Sequence, residues 1–414
     1  MSQHPHVRRT AMAGNVLEWY DFAVYGYFAA TIGKHFFPAD DPTVSVVLSF
    51  GVFAIGFMGR PIGALILGHL GDILGRRRVL MISILMMAVP IFLIGIMPTY
   101  DTLGVLAPVI LILLRLLQGA SVGGELTGSV TFMREEAHDK KRSLARRLCF
   151  SGAVVGVLLG SAVGTLITKV LDADQVASWG WRLPFLAGVV IAVLGFMMRR
   201  GLEHEGPPSQ EGRSTIPLIG ALRDHGRAMI TAIGIIAFNA TGFYLMFVYI
   251  TTYLFSVVGE TESVAFEINT INMAILAVLI PIWGWIGDRI GIHKILLISA
   301  GLGIVTSIPL FWLIDHHDPM LEFLGQLGIV LIFAPYIANF GTRMAFLFPK
   351  AIRMSAFSTT YNIGLAVFGG TAPLAAAYLI ERQVGQLSPA YLLPVAAVIS
   401  LVALLAARSP SQAA

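Results

Sequence analysis

"GHLGDILGRRR", residues 68–78, and "GWIGDRIGIHK", residues 284–294, carry one pattern twice, 216 residues apart. Gly68, Asp72 and Gly75 of the first copy recur as Gly284, Asp288 and Gly291 of the second. Each copy is a short turn that closes one long apolar run and opens the next. A loop repeated at the same place in each half implies duplication of a larger unit, as in many transporter folds.

Outward from these loops, six apolar runs fall on each side of the chain's centre. The first six lie at 11–33, 44–70, 79–97, 104–132, 147–169 and 183–199. The second six lie at 229–257, 264–287, 295–314, 321–343, 355–380 and 389–407. Each is about the length needed to cross hydrocarbon as a helix. Between the two sets runs "RRGLEHEGPPSQEGRSTIPLIGALRDHGR", the longest polar stretch. The expectation is an all-α membrane protein of twelve transmembrane helices in two pseudo-symmetric six-helix bundles. Residues 1–200 form the first bundle, 201–228 a cytoplasmic linker and 229–414 the second.

Composition agrees. Hydrophobic residues make up 56% of the chain and charged ones 13%, too few charges to cover a soluble protein of 414 residues. The net charge of +4 implies no nucleic-acid partner, and the single cysteine, Cys149, excludes internal disulfides. The opening "MSQHPHVRRTAMAG" lacks a small-residue cleavage site after a short apolar core, so it reads as a cytoplasmic tail. No G-x-x-x-x-G-K-[ST] or H-E-x-x-H is present, and no extramembrane segment is large enough for an enzyme domain. We therefore expect no enzyme, no catalytic residues, no cofactor and no metal.

Basic residues set the orientation. With both termini cytoplasmic, 22 of the 28 Lys and Arg fall in cytoplasmic segments and four outside, whereas acids show no such bias. Five charges remain inside spans: Glu18, Asp21, Arg60, Arg115 and Glu125, all in the first half. Each costs a few kcal/mol at the bilayer centre unless paired or facing a wet cavity. Five on three helices point to a polar cavity, and the spans of the second half are expected to hold none.

Glu18 and Asp21 lie three residues apart on one helix face, with Tyr25 one turn on. Asp21 falls near the midplane and Glu18 roughly 5 Å nearer the cytoplasm. Two close carboxylates in low dielectric cannot both stay charged cheaply, so one can take a proton on one side and release it on the other. A structural acid that never titrates is the alternative. Arg115 is the natural counter-charge for Asp21, since an unpaired buried guanidinium is very costly. Once Asp21 is protonated, Arg115 can hold a substrate carboxylate instead; a static salt bridge is the alternative. Glu125, ten residues beyond Arg115, reads as an inner proton-release site, a gate or a loop cap. Arg60 touches substrate, gates, or snorkels to the headgroups.

In the second half Tyr244, Asn339, Tyr361 and Asn362 are the leading polar candidates for substrate contact, against interhelical hydrogen bonding. Gly152, Gly156, Gly160 and Gly164 make an i, i+4 stripe that lets another backbone approach, and Gly369, Gly370 and Pro373 in "FGGTAP" should bend the eleventh span. In the repeated loops, Asp72 with Arg76 and Arg77, and Asp288 with Arg289, are candidates for a cytoplasmic gate. Topology alone is the alternative.

The G-x-x-x-D-x-x-G-R-R-R loop resembles the signature of the major facilitator superfamily, although Ile292 and His293 depart from it in the second copy. "GNVLEWYDFAVYGYF", "GFMGRPIGALILGHLGD", "RLLQGASVGGELTG", "WGWRLPF" and "YNIGLAVFGGTAP" resemble its metabolite:proton symporters, from residue 14 to 373. The acid–arginine pair across spans one and four is similar to the coupling pair of proton-driven sugar porters. The resemblance implies a monomer in the bacterial inner membrane that imports a small carboxylate-bearing metabolite with protons. That substrate is a di- or tricarboxylate or a proline- or betaine-type zwitterion. A proton-driven exporter and a non-transporting metabolite sensor remain alternatives.

Overall fold

The computed structural model describes the backbone of residues 4–74, 76–135, 142–200, 217–349 and 352–407. It describes side chains over 16–122, 153–197 and 225–407 except at scattered positions, among them Asp72, Arg76 and Arg77. Every regular element among these residues is helical. Helices α1 (His4–Tyr27) and α2 (Ala29–Phe36) make the first span, interrupted at Phe28. Next come α3 (Pro42–Leu74), α4 (Arg76–Ile96), α5 (Leu106–Glu135), α6 (Arg142–Val170) and α7 (Leu183–Arg200). Helix α8 (Pro217–Tyr244) is prolonged by π turns over Leu245–Tyr249 and Leu254–Val258. It is followed by α9 (Glu262–Ile290), α10 (Ile292–Ile314) and α11 (Pro319–Ala345). Helix α12 (Arg353–Gly364) continues through a π turn, Leu365–Gly370, into Thr371–Glu381, and α13 (Leu392–Ala406) ends the fold.

Nine described segments are long and apolar enough to cross a membrane, and Met81–Ile96 and Leu106–Val122 are shorter apolar helices. With the α1–α2 pair they supply the twelve expected spans. Large apolar side chains stand out from them, Ile230 at 73%, Val305 at 72% and Leu405 at 67% exposure, where lipid rather than water is the favourable solvent. The chain is a multi-pass membrane-embedded protein.

It divides into two compact units, one of Met1–Ser209 with Thr261–Met273 and the other of Gln210–Glu260 with Ala274–Ala414. Residues 201–216 of the expected linker lie outside the described residues. From Pro217 the chain is already helical, with a break at His225 (φ −130°, ψ 22°), so α8 starts well before residue 229.

Glycine sets the spacing of the first unit. A Cβ on Gly63 would come within 1.8 Å of the Ala120 carbonyl oxygen, and one on Gly119 within 1.8 Å of the Gly56 oxygen. Helices α3 and α5 therefore cross backbone to backbone, as small residues permit in membranes. That crossing carries Arg60 on α3 and Arg115 on α5 toward α1. Helix α6 meets α1 through its own stripe: a Cβ on Gly156 would lie 2.5 Å from the Val16 oxygen, and one on Gly160 would touch Ala23 and Tyr27.

In the second unit α8 is the interior helix. Its apolar window is 89% buried, against 56% for α11, which explains its content of Tyr and Phe rather than of exposed aliphatics. The π turn of α12 falls where "FGGTAP" predicts a distortion. Gly369 there admits the Tyr244 ring of α8, which a Cβ would meet at 2.7 Å. Gly291, in the repeated loop, has φ +107°, which an L side chain rarely adopts, so the turn into α10 needs glycine.

Candidate functional site

Helix α1 places Asp21 and Glu18 in the packed interior of the first unit, 1% and 6% exposed. Asp21 is met from α5 by two residues one turn apart. Gln118 donates through Nε2 to Asp21 Oδ1 at 2.8 Å, and Arg115 donates through Nη1 to Oδ2 at 3.3 Å. The same Nη1 donates to Gln118 Oε1 at 2.9 Å, closing a triangle. The arginine contact is longer than the roughly 2.7–2.9 Å of a tight charge-assisted bond, so the neutral amide is the closer partner. Arg115 Nε and Nη2 are buried and have no acceptor among the described residues. The planar fork thus uses one of its nitrogens on Asp21 and Gln118 and leaves two donors uncommitted.

Glu18 pairs with Arg60, Oε1 to Nη1 at 3.4 Å, with Arg60 only 1% exposed. Arg60 therefore turns into the protein and does not snorkel to headgroups. Aromatic rings carry the two guanidinium faces. Arg60 Cζ lies 4.5 Å from the Phe22 centroid and 4.3 Å from that of Phe57; Arg115 Cζ lies 4.6 Å from Phe22 and 4.3 Å from Tyr25. Phe22 is thus within cation–π reach of both cations. Tyr25 donates its hydroxyl to the Ser49 carbonyl at 3.2 Å, which fixes its ring beside Arg115.

Sequence reasoning found Glu18, Asp21, Tyr25, Arg60 and Arg115, and the structure brings all five together. It missed Gln118, Phe22 and Phe57, and it missed that Glu18 belongs to Arg60. The three-residue step from Arg115 to Gln118, and from Phe57 to Arg60, puts each pair on one helix face and was the available signal. The side chains of Glu125, Asp72, Arg76 and Arg77 lie outside the described residues. Asp288 and Arg289 are exposed at the end of α9, where Arg289 Cζ sits 3.6 Å over the Trp285 ring.

The second-unit candidates are dispersed among packing contacts. Asn339 donates through Nδ2 to the carbonyls of Trp283, at 3.2 Å, and Pro335, at 2.9 Å, tying α11 to α9. Tyr361 stacks on Phe340 and Phe357 at 6.4 and 5.8 Å. Asn362 donates to Ser358 O at 3.0 Å, with Oδ1 buried and without a donor among the described residues. Tyr244 packs edge-on to Phe243 at 5.5 Å. The expectation that no charge lies inside these spans fails. Glu322 and Arg343, assigned by hydropathy to opposite rims, are both within α11 and 0% and 6% exposed. Arg343 donates to Ala407 O at 3.1 Å. The helix extends past the apolar run at both ends, so charge near a span's edge need not face water.

Twelve membrane-spanning helices, with paired charges buried in the first unit, define a membrane transporter of the major facilitator fold. The chain belongs to the major facilitator superfamily. The family described as "Sugar (and other) transporter" matches residues 9–204, and "MFS/sugar transport protein" matches residues 133–361. A proline/betaine transporter of Escherichia coli is 34% identical, over 95% of this chain and 81% of its own length. A glycine betaine/proline/ectoine/pipecolic acid transporter of Dickeya dadantii is 32% identical over 95% of this chain and 81% of its own. Among solved structures, a D-xylose–proton symporter shares the fold, with a TM-score of 0.76, 18% identity, and coverage of 97% of this chain and 96% of that one. The family is one of transporters, not of enzymes, and small-molecule transport across a membrane is its business.

Proposed function

We propose that this protein is a proton-coupled symporter of a small carboxylate-bearing metabolite, working by alternating access in a bacterial inner membrane with both termini cytoplasmic. The observation that carries this reading is the buried fork of Arg115, one nitrogen on Asp21 and Gln118 and two without an acceptor. A substrate carboxylate can take those two donors side by side, a geometry arginine offers and lysine does not. Binding it beside an ionised Asp21 would crowd two anions round one cation in low dielectric. Protonation of Asp21 removes the conflict, so proton and substrate enter together. Gln118 keeps a donor on the neutral carboxyl and holds its place.

Between the substrate classes left open above, a proline- or betaine-type zwitterion is favoured over a di- or tricarboxylate. The relatives named above support it. Residues 1–200 and 229–414 act as the two moving bundles joined by 201–228. Glu125 serves as inner proton-release site, and Asp72, Arg76, Arg77, Asp288 and Arg289 as a cytoplasmic gate. Tyr244, Asn339, Tyr361 and Asn362 shape the substrate path from the second half.

Uptake by the purified protein in liposomes tests this. Radiolabelled proline and glycine betaine should accumulate when the lumen is more alkaline than the bath, and citrate should not. Accumulation that ignores the pH gradient would remove the coupling, and uptake of citrate alone would reverse the substrate assignment.

A further inference from the structure

Ring and cation alternate through one series of contacts in the first unit: Phe57, Arg60, Phe22, Arg115, Tyr25. The two rings that meet Arg115 are firmly held. Phe22 and Tyr25 are 1% and 0% exposed. Phe22 packs edge-on against Phe57 at 4.8 Å and Phe53 at 6.2 Å, and Tyr25 stacks on Phe53 at 6.2 Å. Neither ring can turn aside without disturbing α3.

Beside these rings the contact between Arg115 and Asp21 is incomplete. In a dry interior a guanidinium and a carboxylate gain most from two parallel hydrogen bonds. Arg115 makes one, long at 3.3 Å, and its Nε and Nη2 have no acceptor among the described residues. To bring a second nitrogen to Asp21, the guanidinium must rotate off Phe22 and Tyr25. It would then give up two cation–π contacts in a desolvated setting, where they are strongest. Gly56 of α3 keeps space beside the spare edge: a Cβ there would stand 3.5 Å from Phe22 Cε1 and 3.7 Å from Arg115 Nε.

We propose that Phe22 and Tyr25 are positioning residues, which hold the Arg115 fork turned partly away from Asp21 and keep Nε and Nη2 for an incoming carboxylate. This role rests on the symport reading, in which that carboxylate is the substrate's. It is the reason the arginine is not already spent on its own acid. Gln118 completes the arrangement by occupying Asp21 Oδ1 at 2.8 Å. With the rings weakened, Arg115 closes on Asp21 and the substrate loses its anchor.

The first test needs neither transport nor a substrate, so its failure and that of the symport reading are separable. Position 22 of the full-length protein is filled with mono-, di- and trifluorophenylalanine, which keep the ring's shape and drain its negative face stepwise. Asp21 is read in detergent at mildly alkaline pH, as the infrared difference between each protein and its Asp21→Asn counterpart. The separation of the antisymmetric and symmetric carboxylate stretches should change step by step with fluorination, and further in Phe22→Leu. Bands that stay put through the whole fluorinated series overturn the proposal. So does a protonated carboxyl in the wild type, which leaves no carboxylate for the arginine to close on. The second test is equilibrium binding of L-proline and glycine betaine. Trifluorination should weaken it about fivefold in the wild type and less than about twofold in Asp21→Asn, where a single acceptor oxygen remains. Equal loss in both backgrounds would make the ring a direct substrate contact and overturn the positioning role. Binding of neither compound would strike the symport reading and leave the infrared result to decide this one.

Discussion

The two units of this molecule spend their buried polarity differently. In the first, two acids of α1 each find an arginine on another helix, and the rings of Phe22, Tyr25 and Phe57 wrap the cations. In the second, the interior helix α8 carries tyrosines and phenylalanines, and the buried charges among the described residues sit near the two ends of α11. Membrane-buried ion pairs cost several kcal/mol to desolvate and are a poor way to gain stability. Their concentration on one side argues for use rather than support. The first unit holds paired charge wrapped in aromatic rings, and the second holds shape.

That contrast can be broken most severely at the crossing that builds it. Gly119→Leu should leave little folded protein, because even the first carbon of the new side chain meets the Gly56 carbonyl at 1.8 Å. Gly51→Ala on α3, where nothing lies within 4 Å, should express and run on size exclusion as the wild type does.

Function rather than folding should fail in Asp21→Asn. Accumulation against a gradient is expected to vanish while exchange of internal for external substrate persists, since the amide stays neutral throughout the cycle. Gradient-driven accumulation by this variant would return the Asp21–Arg115 pair to a static brace.

Gln118→Leu should weaken substrate binding by about fivefold, the worth of one ordinary hydrogen bond, and narrow the pH range of transport. An unchanged pH profile by uptake measurement would make Gln118 a spectator. In the second unit the effects should be smallest on substrate and largest on packing. Asn339→Ala removes two bonds to backbone carbonyls and should lower the melting temperature while leaving affinity within a factor of two or so. A large affinity loss with unchanged melting temperature would move substrate contact into α11.

The sequence makes the fold plain because a repeated loop and twelve apolar runs are long-range, redundant signals. It makes Asp21–Arg115 plain because charge inside a span is rare enough to be matched by elimination. The same census is blind to Gln118, whose amide carries no charge yet lies closer to Asp21 than the arginine does. It cannot pair Glu18 with Arg60 either, since that requires the register of α1 against α3, which no single-residue census contains. Glu322 and Arg343 escape for a third reason: they sit at the two ends of the run 321–343, where charge reads as part of the flanking loops, yet both are buried within α11.

The most direct test of the central claim is proton uptake on substrate binding, measured with the purified protein in weakly buffered solution near neutral pH. If Arg115 trades an ionised Asp21 for a substrate carboxylate, adding saturating glycine betaine should draw protons from solution, and by linkage affinity should rise as pH falls. The Asp21→Asn variant should bind without taking up any. Substrate binding by the wild type with no proton uptake, or uptake equal in Asp21→Asn, would contradict the account.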